Sequence, residues 1–336
     1  MNSLTGLAFA VAGAPLVRRV LATGGDVGLT TLLYHSFFFG GEAEKVGRDR
    51  LRRQLAWLRD HYELLSLDDF NQALRANRFP PRALFVTVDD AKTDLMKVAE
   101  DFKAFGIPIT VFVCAGWTAQ ASTMEIDGQW ARAVADIEWY EGPDFEMVLG
   151  RASRVLQVGR RARTASLDEL LRSRDYFDPH LDELIARVEA MNKQGGTRVI
   201  CSWDELKMLQ REGISFGSHS VSHIKLASAS DLRLGFEIHE SKRLIESHLG
   251  HCSSFAYPFG TAGTCDERTT AIVKAAGLSA AFLTHPEFAR SGDSAFHLPR
   301  FALPDRHMHD GEYRGRVRGA GVLLRRLKHA VRSSAR

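Results

Sequence analysis

In the stretch 83-ALFVTVDD-90, six apolar or β-branched residues lead directly into two consecutive carboxylates. An uninterrupted run of this kind indicates a strand buried on both faces, as in a parallel sheet. Asp89 and Asp90 then mark its carboxyl end, where α/β barrels gather their working side chains. One carboxylate there can bind a metal ion while its neighbour, facing another direction, accepts a proton.

A second acidic pair, Asp68-Asp69, serves as a comparison. It follows Ser66 at the start of a predicted helix, where acids favour the helix dipole and Ser66 with Asp69 forms a capping box. We expect that pair to be structural. From position alone, Asp89-Asp90 has a similar alternative, a solvated link between strand and loop.

Apolar runs and amphipathic stretches alternate along most of the chain. This alternation predicts parallel strands joined by crossover helices in an α/β fold. The other predicted strands are residues 29–34, 107–114, 214–218, 253–257 and 279–283. The predicted helices are residues 49–61 with Asp49 as N-cap, a helix capped by Ser66, 92–105 closed by Gly106, 203–212 capped by Ser202 with Glu205, and 231–249.

The predicted organisation is one barrel-like domain over residues 29–305, interrupted by a helical insert at about residues 118–198. The insert has few strand signals but two capped helices, at Ser166 with Glu169 and at Asp178-Pro179. Residues 1–28 are predicted to form a separate helical segment. Its apolar part, residues 4–13, is too short to span a membrane and follows no positive charge. We therefore expect no export, with a weak signal peptide as the alternative.

The bulk composition excludes several classes of protein. With 45% hydrophobic and 25% charged residues, the chain is typical of a globular protein with a full core. Its four cysteines form no C-x-x-C pair, which argues against a disulfide scaffold or a structural zinc knuckle.

The charge is unevenly distributed. Residues 306–336 contain nine Lys and Arg against two acids, a charge of +7, which leaves −4 for residues 1–305 of the net +3. This tail predicts either an interfacial helix on an anionic membrane surface or a solvated helix packed on the barrel. The basic run lacks interleaved aromatics for base stacking, so we expect no nucleic acid partner.

The stretch 217-GSHSVSH-223 places His219 and His223 where a predicted strand gives way to small polar residues. Such a turn allows both imidazoles to converge on one point. Two neutral imidazoles with a carboxylate suit zinc or a similar divalent ion and leave a position for water. The alternative is a pair of surface histidines on a serine-rich loop.

The stretch 255-FAYPFG-260 ends a third predicted strand in a tight turn. Pro258 fixes its own φ and Gly260 permits the turn. A backbone N–H held rigidly in that turn would stabilise a developing oxyanion. Alone, the same pattern is more often an ordinary turn.

In this order, the three segments resemble the motifs of the polysaccharide deacetylase family, the NodB-homology group of carbohydrate esterases (carbohydrate esterase family 4). Thr87-Val88-Asp89-Asp90-Ala91 is similar to its T-F-D-D-G motif, and residues 219–223 match H-[ST]-x-x-H in full. Pro258-Phe259-Gly260 matches its proline-aromatic-glycine turn, and Leu33-Tyr34-His35 is similar to its first strand. The resemblance covers about residues 30–117 and 200–303.

The resemblance implies a distorted (β/α) barrel with a divalent ion, usually zinc, on Asp90, His219 and His223. Asp89 would be the general base for the attacking water, and the Phe259 backbone N–H would hold the oxyanion together with the ion. The implied reaction is hydrolysis of an N-acetyl group on a sugar.

Three positions depart from the family pattern. Ala91 replaces the glycine after the paired acids, which is tolerable if its φ is negative. Ala256 stands where many relatives have an arginine that orients the base. Leu298-Pro299-Arg300 matches a late L-x-H motif with Arg300 in place of the acid histidine. An arginine does not donate protons at neutral pH.

We expect Arg300 instead to pair with Asp89 and orient it, replacing the missing arginine from another side. The proton donor is then unassigned, and His35 and His297 are the candidates. His307 and His309 near the tail are expected to be structural or surface residues.

The sequence thus predicts a cytoplasmic enzyme of glycan assembly, peripheral on the inner membrane face, acting on a lipid-linked or polymeric N-acetylated sugar. One alternative keeps the metal but changes the substrate to a non-sugar amide such as a cyclic imide or ureide. Another is a pseudoenzyme that binds glycan without cleaving it, prompted by the missing arginine and acid histidine.

Overall fold

The computed structural model of the protein describes residues 28–39, 42–122, 200–322 and 324–325. Within them, one parallel sheet of eight strands has the order β7-β6-β5-β4-β3-β1-β8, with β2 paired to β3. The strands are β1 (Thr30–Tyr34), β2 (Glu63–Leu65), β3 (Ala83–Asp89), β4 (Ile109–Val113), β5 (Ser215–Ser218), β6 (Ser254–Ala256), β7 (Ala280–Phe282) and β8 (Phe301–Ala302). The predicted α/β fold of parallel strands is confirmed.

Helices link most of the strands and cover the outer face of the sheet. They are α1 (Glu44–His61), α2 (Leu67–Arg75), α3 (Asp94–Ala104), α4 (Ala115–Ser122), α5 (Trp203–Arg211), α6 (Asp231–Leu249), α7 (Glu267–Ala275) and α8 (Asp310–Val317). The capping boxes predicted at Ser66 and Ser202 are both present, and each side-chain oxygen accepts a backbone N–H three residues on. Asp69 belongs to the first of them, which confirms its structural role.

The sheet curls into a distorted barrel that is closed by the residues around β8. Leu298 forms a parallel bridge with Phe282 of β7, and Phe301 of β8 pairs with Leu32 of β1. Because this short segment crosses the gap between β7 and β1, it carries Arg300 to the sheet edge where the barrel closes. We call residues 298–302 the closing segment.

The strands divide the core into two layers by their period of two. Inside the barrel, Phe85, Phe112 and Phe282 pack together, with Phe85 and Phe282 ring centroids 5.7 Å apart. Val86 and Val88 of β3 belong instead to the layer between sheet and helices. Asp89 is the next residue after Val88, so the same alternation places its side chain on the inner face of the barrel.

Two details of the predicted elements were wrong. Helix α1 begins at Glu44, so Asp49 lies inside the helix and is not its N-cap. Strands β2 and β8 had no predicted counterpart, since two or three residues carry little periodicity. Helices α4 and α7 were not predicted either.

Much of the predicted domain organisation lies outside the described residues. The predicted N-terminal segment, residues 1–28, lies outside them except for Gly28, and the predicted helical insert, about residues 118–198, lies outside them after residue 122. Of the tail, the described part packs on the barrel: Tyr313 and Tyr34 share a 2.7 Å hydrogen bond, and Val317, Ala320 and Val322 are buried. Among the described helices, none has the length and apolar character required to cross a membrane.

Candidate metal centre and active site

The paired carboxylates lie at the carboxyl end of β3, both almost completely buried. A tight turn follows immediately, with Asp90 at φ +73° and Ala91 at φ +56°. This left-handed backbone turns the two side chains in different directions. The negative φ that would make alanine tolerable at position 91 is not met, because Ala91 has a conformation that favours glycine.

The two histidines lie on the loop after β5, which is also strongly turned. Ser220 has φ +66° and His223 has φ +52°. The His223 N–H donates to Ser220 Oγ at 3.0 Å, and the His219 N–H donates to the Val113 carbonyl at 2.9 Å. The loop is therefore tied both to itself and to the neighbouring strand β4, which holds the imidazoles near the β3 end.

Asp90, His219 and His223 converge on one point, with one ligand atom from each within 4.8 Å of the others. Asp90 Oδ1 lies 3.6 Å from His219 Nε2 and 3.8 Å from His223 Nε2. This carboxylate oxygen is buried and has no hydrogen-bond partner within the described part of the chain. A buried acceptor without a partner calls for an ion or a water molecule.

The protonation states fit a metal ion. His219 Nδ1 lies 2.8 Å from the Ala256 carbonyl, so Nδ1 carries the hydrogen and Nε2 presents its lone pair to the cluster. Burial, followed by the charge of His219, lowers the pKa of His223 to about 4. His223 is thus suited to act as a neutral ligand, and His219 turns its Nε2 to the same point. One carboxylate and two imidazoles leave a fourth tetrahedral position open.

Asp89 faces Arg300 inside the barrel. Arg300 Nη1 and Nη2 donate to the two carboxylate oxygens at 2.7 and 2.8 Å, and both side chains are buried. Burial by itself would raise the pKa of Asp89, but the charge of Arg300, followed by that of His219, lowers it to about 2. The carboxylate is therefore ionised at neutral pH.

Arg300 is itself fixed by its surroundings. Its Nε donates to the Leu283 carbonyl at 2.9 Å, and its guanidinium lies 5.5 Å from the Phe112 ring centroid. The predicted contact between Arg300 and Asp89 is present, with Arg300 delivered by the closing segment. Ala256, where an arginine was missing, lies at the end of β6 and offers its carbonyl to His219.

The turn after β6 exposes a backbone N–H near the cluster. Phe259 has φ +61°, and its ring centroid lies 4.8 Å from that of His223. Within the described residues its N–H donates to no acceptor, whereas the Gly260 N–H donates to the Pro258 carbonyl. Gly260 is required at φ +56°, because a Cβ there would meet the Thr284 nitrogen at 2.6 Å.

The two proton-donor candidates lie in different places. His35 follows β1, is partly buried, and its charge lowers the pKa of both Asp89 and His223. His297 is exposed, and its Nε2 lies 3.1 Å from Thr270 Oγ1 of α7, on the outer side of the sheet. The structure thus brings His35, and not His297, to the cluster. His309 caps α8 by accepting the Glu312 N–H, a structural role.

Two residues at the site were not singled out from the sequence. Trp117 of α4 is buried with its ring centroid 5.2 Å from that of His223, and it follows the predicted strand 107–114 by three residues. Glu237 of α6 is fully buried behind the histidine loop. The sequence feature that could have revealed Glu237 is the position of this acidic residue on the apolar face of the helix, beside Leu234 and Ile238.

Comparison with solved structures shows the same fold. A deacetylase from Streptococcus pyogenes, PplD, in complex with acetate, is 17% identical with a TM-score of 0.54, covering 84% of this chain and 95% of its own. IcaB from Ammonifex degensii is 17% identical with a TM-score of 0.56, covering 88% and 97%. The BpsB deacetylase domain from Bordetella bronchiseptica is 15% identical with a TM-score of 0.51, covering 82% and 96%.

Comparison by sequence is more specific about the family. Among curated proteins, none is similar enough to this chain to count as a match. The family model described as polysaccharide deacetylase matches residues 76–281, more than half of the chain and all of the motifs from β3 to β7. The chain belongs to the polysaccharide deacetylase family.

Proposed function

We propose that this protein is a metal-dependent hydrolase that removes an N-acetyl group from a sugar in a polysaccharide or lipid-linked glycan. The observation that carries the proposal is the convergence of Asp90, His219 and His223 beside a second carboxylate. Asp89 Oδ2 lies 3.6 Å from His219 Nε2, so base and ligands share one small site. Family membership supports the deacetylation of carbohydrate.

The ion that best suits the site is zinc, because the donors are two imidazoles and one carboxylate. A bound divalent ion would act as a Lewis acid, polarising the acyl carbonyl and lowering the pKa of the attacking water. The partnerless Asp90 Oδ1 supports a cation at this point.

Asp89 is proposed to accept the proton of the attacking water. Its ionised carboxylate is held in one orientation by the bidentate contact with Arg300, which leaves the remaining lone pairs available. Arg300 does not exchange protons itself. It is a positioning residue, and it fills the role of the arginine that is absent at Ala256.

The Phe259 N–H is proposed to donate to the oxyanion that develops on the acyl oxygen. The turn holds this group in place before the substrate arrives, so little reorganisation is needed during the reaction. His35 is proposed to protonate the leaving amine, since it lies at the site and His297 does not.

Two alternatives remain distinguishable by experiment. A non-sugar amide such as a cyclic imide or ureide would use the same ion and base. A pseudoenzyme that binds glycan would lack turnover, but the complete set of Asp89, Asp90, His219 and His223 disfavours it.

A cytoplasmic location at the inner membrane face is also a proposal, supported by the charge of +7 in residues 306–336. The burial of Val317 and Val322 favours packing of the tail's first part on the barrel. Lipid contact would then fall to residues 326–336, outside the described residues. Sedimentation with anionic vesicles tests this, and absence of binding by the full chain would reject it.

The decisive experiment measures acetate release from a panel of N-acetylated glycans, with cyclic imides as competing substrates. Wild type is compared with Asp89→Asn, and Asp68→Asn of the exposed pair in α2 is the matched control. We expect turnover of glycans by wild type and Asp68→Asn and severe loss in Asp89→Asn. Equal turnover in Asp89→Asn would remove Asp89 from the mechanism, and turnover of imides alone would replace the sugar substrate.

A further inference from the structure

Glu237 of α6 reaches the loop that joins the two histidines. Its side chain is fully buried, and its Oε2 accepts the N–H of Val221 and the N–H of Ser222, each at 2.9 Å. These two residues lie between His219 and His223. One carboxylate oxygen therefore binds two consecutive amides of the segment that spaces the imidazoles.

The loop needs such an anchor because its backbone is strained. Ser220 and His223 both have positive φ, a conformation that costs non-glycine residues about 1–3 kcal/mol each. Consecutive amides in a turn of this kind converge on one point and form a site for an anion. Here the anion is the side chain of Glu237.

Two backbone carbonyls of the loop accept hydrogen bonds from the start of α4. The Ala115 N–H donates to the Ser220 carbonyl and the Gly116 N–H donates to the Val221 carbonyl, each at 3.0 Å. The loop is thus fixed between the start of α4, through its carbonyls, and Glu237 of α6, through its amides.

The charge of Glu237 is balanced by Arg233, one turn earlier on α6. Arg233 Nη2 lies 2.6 Å from Glu237 Oε1 and donates to Ser222 Oγ at 3.0 Å. The carboxylate therefore has two amide donors on Oε2 and the charge of a guanidinium beside Oε1, and this compensation of its charge allows it to persist in the core.

We propose that Glu237 is a positioning residue for the metal centre, setting the distance between the His219 and His223 imidazoles through the amides of Val221 and Ser222. This inference rests on the proposed function, because it assumes that the imidazoles bind a cation. Groups that orient metal ligands typically contribute 10–100-fold to metal affinity. Removing the carboxylate charge at position 237 should therefore weaken zinc binding even when the protein stays folded.

The test compares wild type, Glu237→Gln and Glu312→Gln in the full chain. Glu312 is the matched control, since it is a buried carboxylate paired with Arg306 and Arg316 on α8, away from the site. Zinc affinity is measured by competition with a chromogenic chelator, well below the melting temperature of each variant. Amide hydrogen exchange at Val221 and Ser222 is measured on the metal-free proteins.

We expect Glu237→Gln to bind zinc at least tenfold more weakly and to exchange both amides faster, while Glu312→Gln keeps the wild-type affinity. Zinc affinity within twofold of wild type in folded Glu237→Gln would overturn the inference. If Glu237→Gln does not fold, zinc affinity is measured on Glu237→Asp instead. This variant keeps the negative charge but moves the carboxylate away from the two amides by one methylene. Wild-type zinc affinity in Glu237→Asp would also overturn the inference. Wild type without zinc affinity would instead overturn the proposed function.

Discussion

The guanidinium of Arg300 and the carboxylate of Asp89 form a bidentate pair inside the barrel, with hydrogen bonds of 2.7 and 2.8 Å. Lysine at position 300 would keep the positive charge but lose the planar pair of N–H donors that binds both carboxylate oxygens of Asp89. We expect Arg300→Lys to lower kcat about 100-fold with a small change in KM, because misplacement of a catalytic group by about 1 Å has this effect. Steady-state acetate release measures it.

Arg306→Lys is the control for that substitution, since Arg306 pairs with Glu312 at a half-exposed position. Its kcat should match wild type. An Arg300→Lys variant with wild-type kcat would show that the bidentate contact does not matter to the reaction.

Removal of the metal should abolish activity reversibly. Treatment with a strong chelator followed by gel filtration should leave a folded, inactive protein, and added zinc should restore turnover. Asp90→Asn should retain little zinc by elemental analysis, because it loses the only anionic ligand of the set. Stoichiometric zinc in Asp90→Asn would exclude Asp90 as a ligand.

Substitution of the two candidate proton donors, His35 and His297, should affect kcat differently. His35→Gln should lower kcat about 10²–10⁴-fold, the usual contribution of a general acid or base, with little change in KM. His297→Gln should behave as wild type, because its imidazole contacts Thr270 on the outer layer. A larger loss in His297→Gln than in His35→Gln would reverse this assignment.

Gly260→Ala should damage both fold and activity. A Cβ there would meet the Thr284 nitrogen at 2.6 Å, and φ is +56°. We expect a loss of about 1–2 kcal/mol in the free energy of unfolding from the left-handed conformation, with a further cost from the contact, and a fall in kcat as the Phe259 N–H shifts. Urea unfolding and acetate release measure the two effects.

Gly235→Ala is its matched control. Gly235 lies within α6 with open space around its Cα and no positive φ. Alanine should stabilise this helix by about 1 kcal/mol and leave kcat unchanged. Equal changes in unfolding free energy and kcat for Gly260→Ala and Gly235→Ala would contradict the requirement for glycine in the turn after β6.

Stability should depend on pH through Glu312. Burial would raise the pKa of this carboxyl, but hydrogen bonds from Arg306 and Arg316 outweigh it and hold the pKa below its ordinary value of 4.5. A carboxyl with a lowered folded pKa stabilises the protein above its unfolded pKa, and this contribution is lost as the pH falls through the folded pKa. Wild type should therefore exceed Glu312→Gln in unfolding free energy at pH 7, by about 1–3 kcal/mol. The difference should shrink below pH 4.5, and a constant difference in urea unfolding from pH 7 to pH 3 would contradict this.

Local patterns predicted the parts of the site that depend on neighbouring residues. The apolar run before Asp89 predicted where β3 ends. The spacing of His219 and His223 predicted that their imidazoles converge on one point. The backbone conformation of Ala91 could not be read in this way, since an alanine carries no signal for positive φ. Its turn is imposed by the surrounding structure, including the 2.9 Å hydrogen bond from the Cys201 N–H to the Ala91 carbonyl.

Contacts between distant segments were harder to predict. The pairing of Arg300 with Asp89 was expected only because both family-like motifs were present, and its geometry depends on how residues 298–302 cross between β7 and β1. Glu237 was missed because a helix pattern alone does not show what an acidic residue on the apolar stripe will meet. Its partners Val221 and Ser222 lie on the preceding loop.

The closing segment makes closure of the barrel and the pairing of Arg300 with Asp89 a single event. Burying Asp89 without residues 298–302 in place would leave the carboxylate without its guanidinium partner, which costs about 3–5 kcal/mol. The two residues are 211 positions apart, so their meeting requires nearly the whole domain to be in place. The orientation of the Asp89 carboxylate therefore depends on a closed barrel, and we expect it to be lost in any form in which the closing segment is not in place.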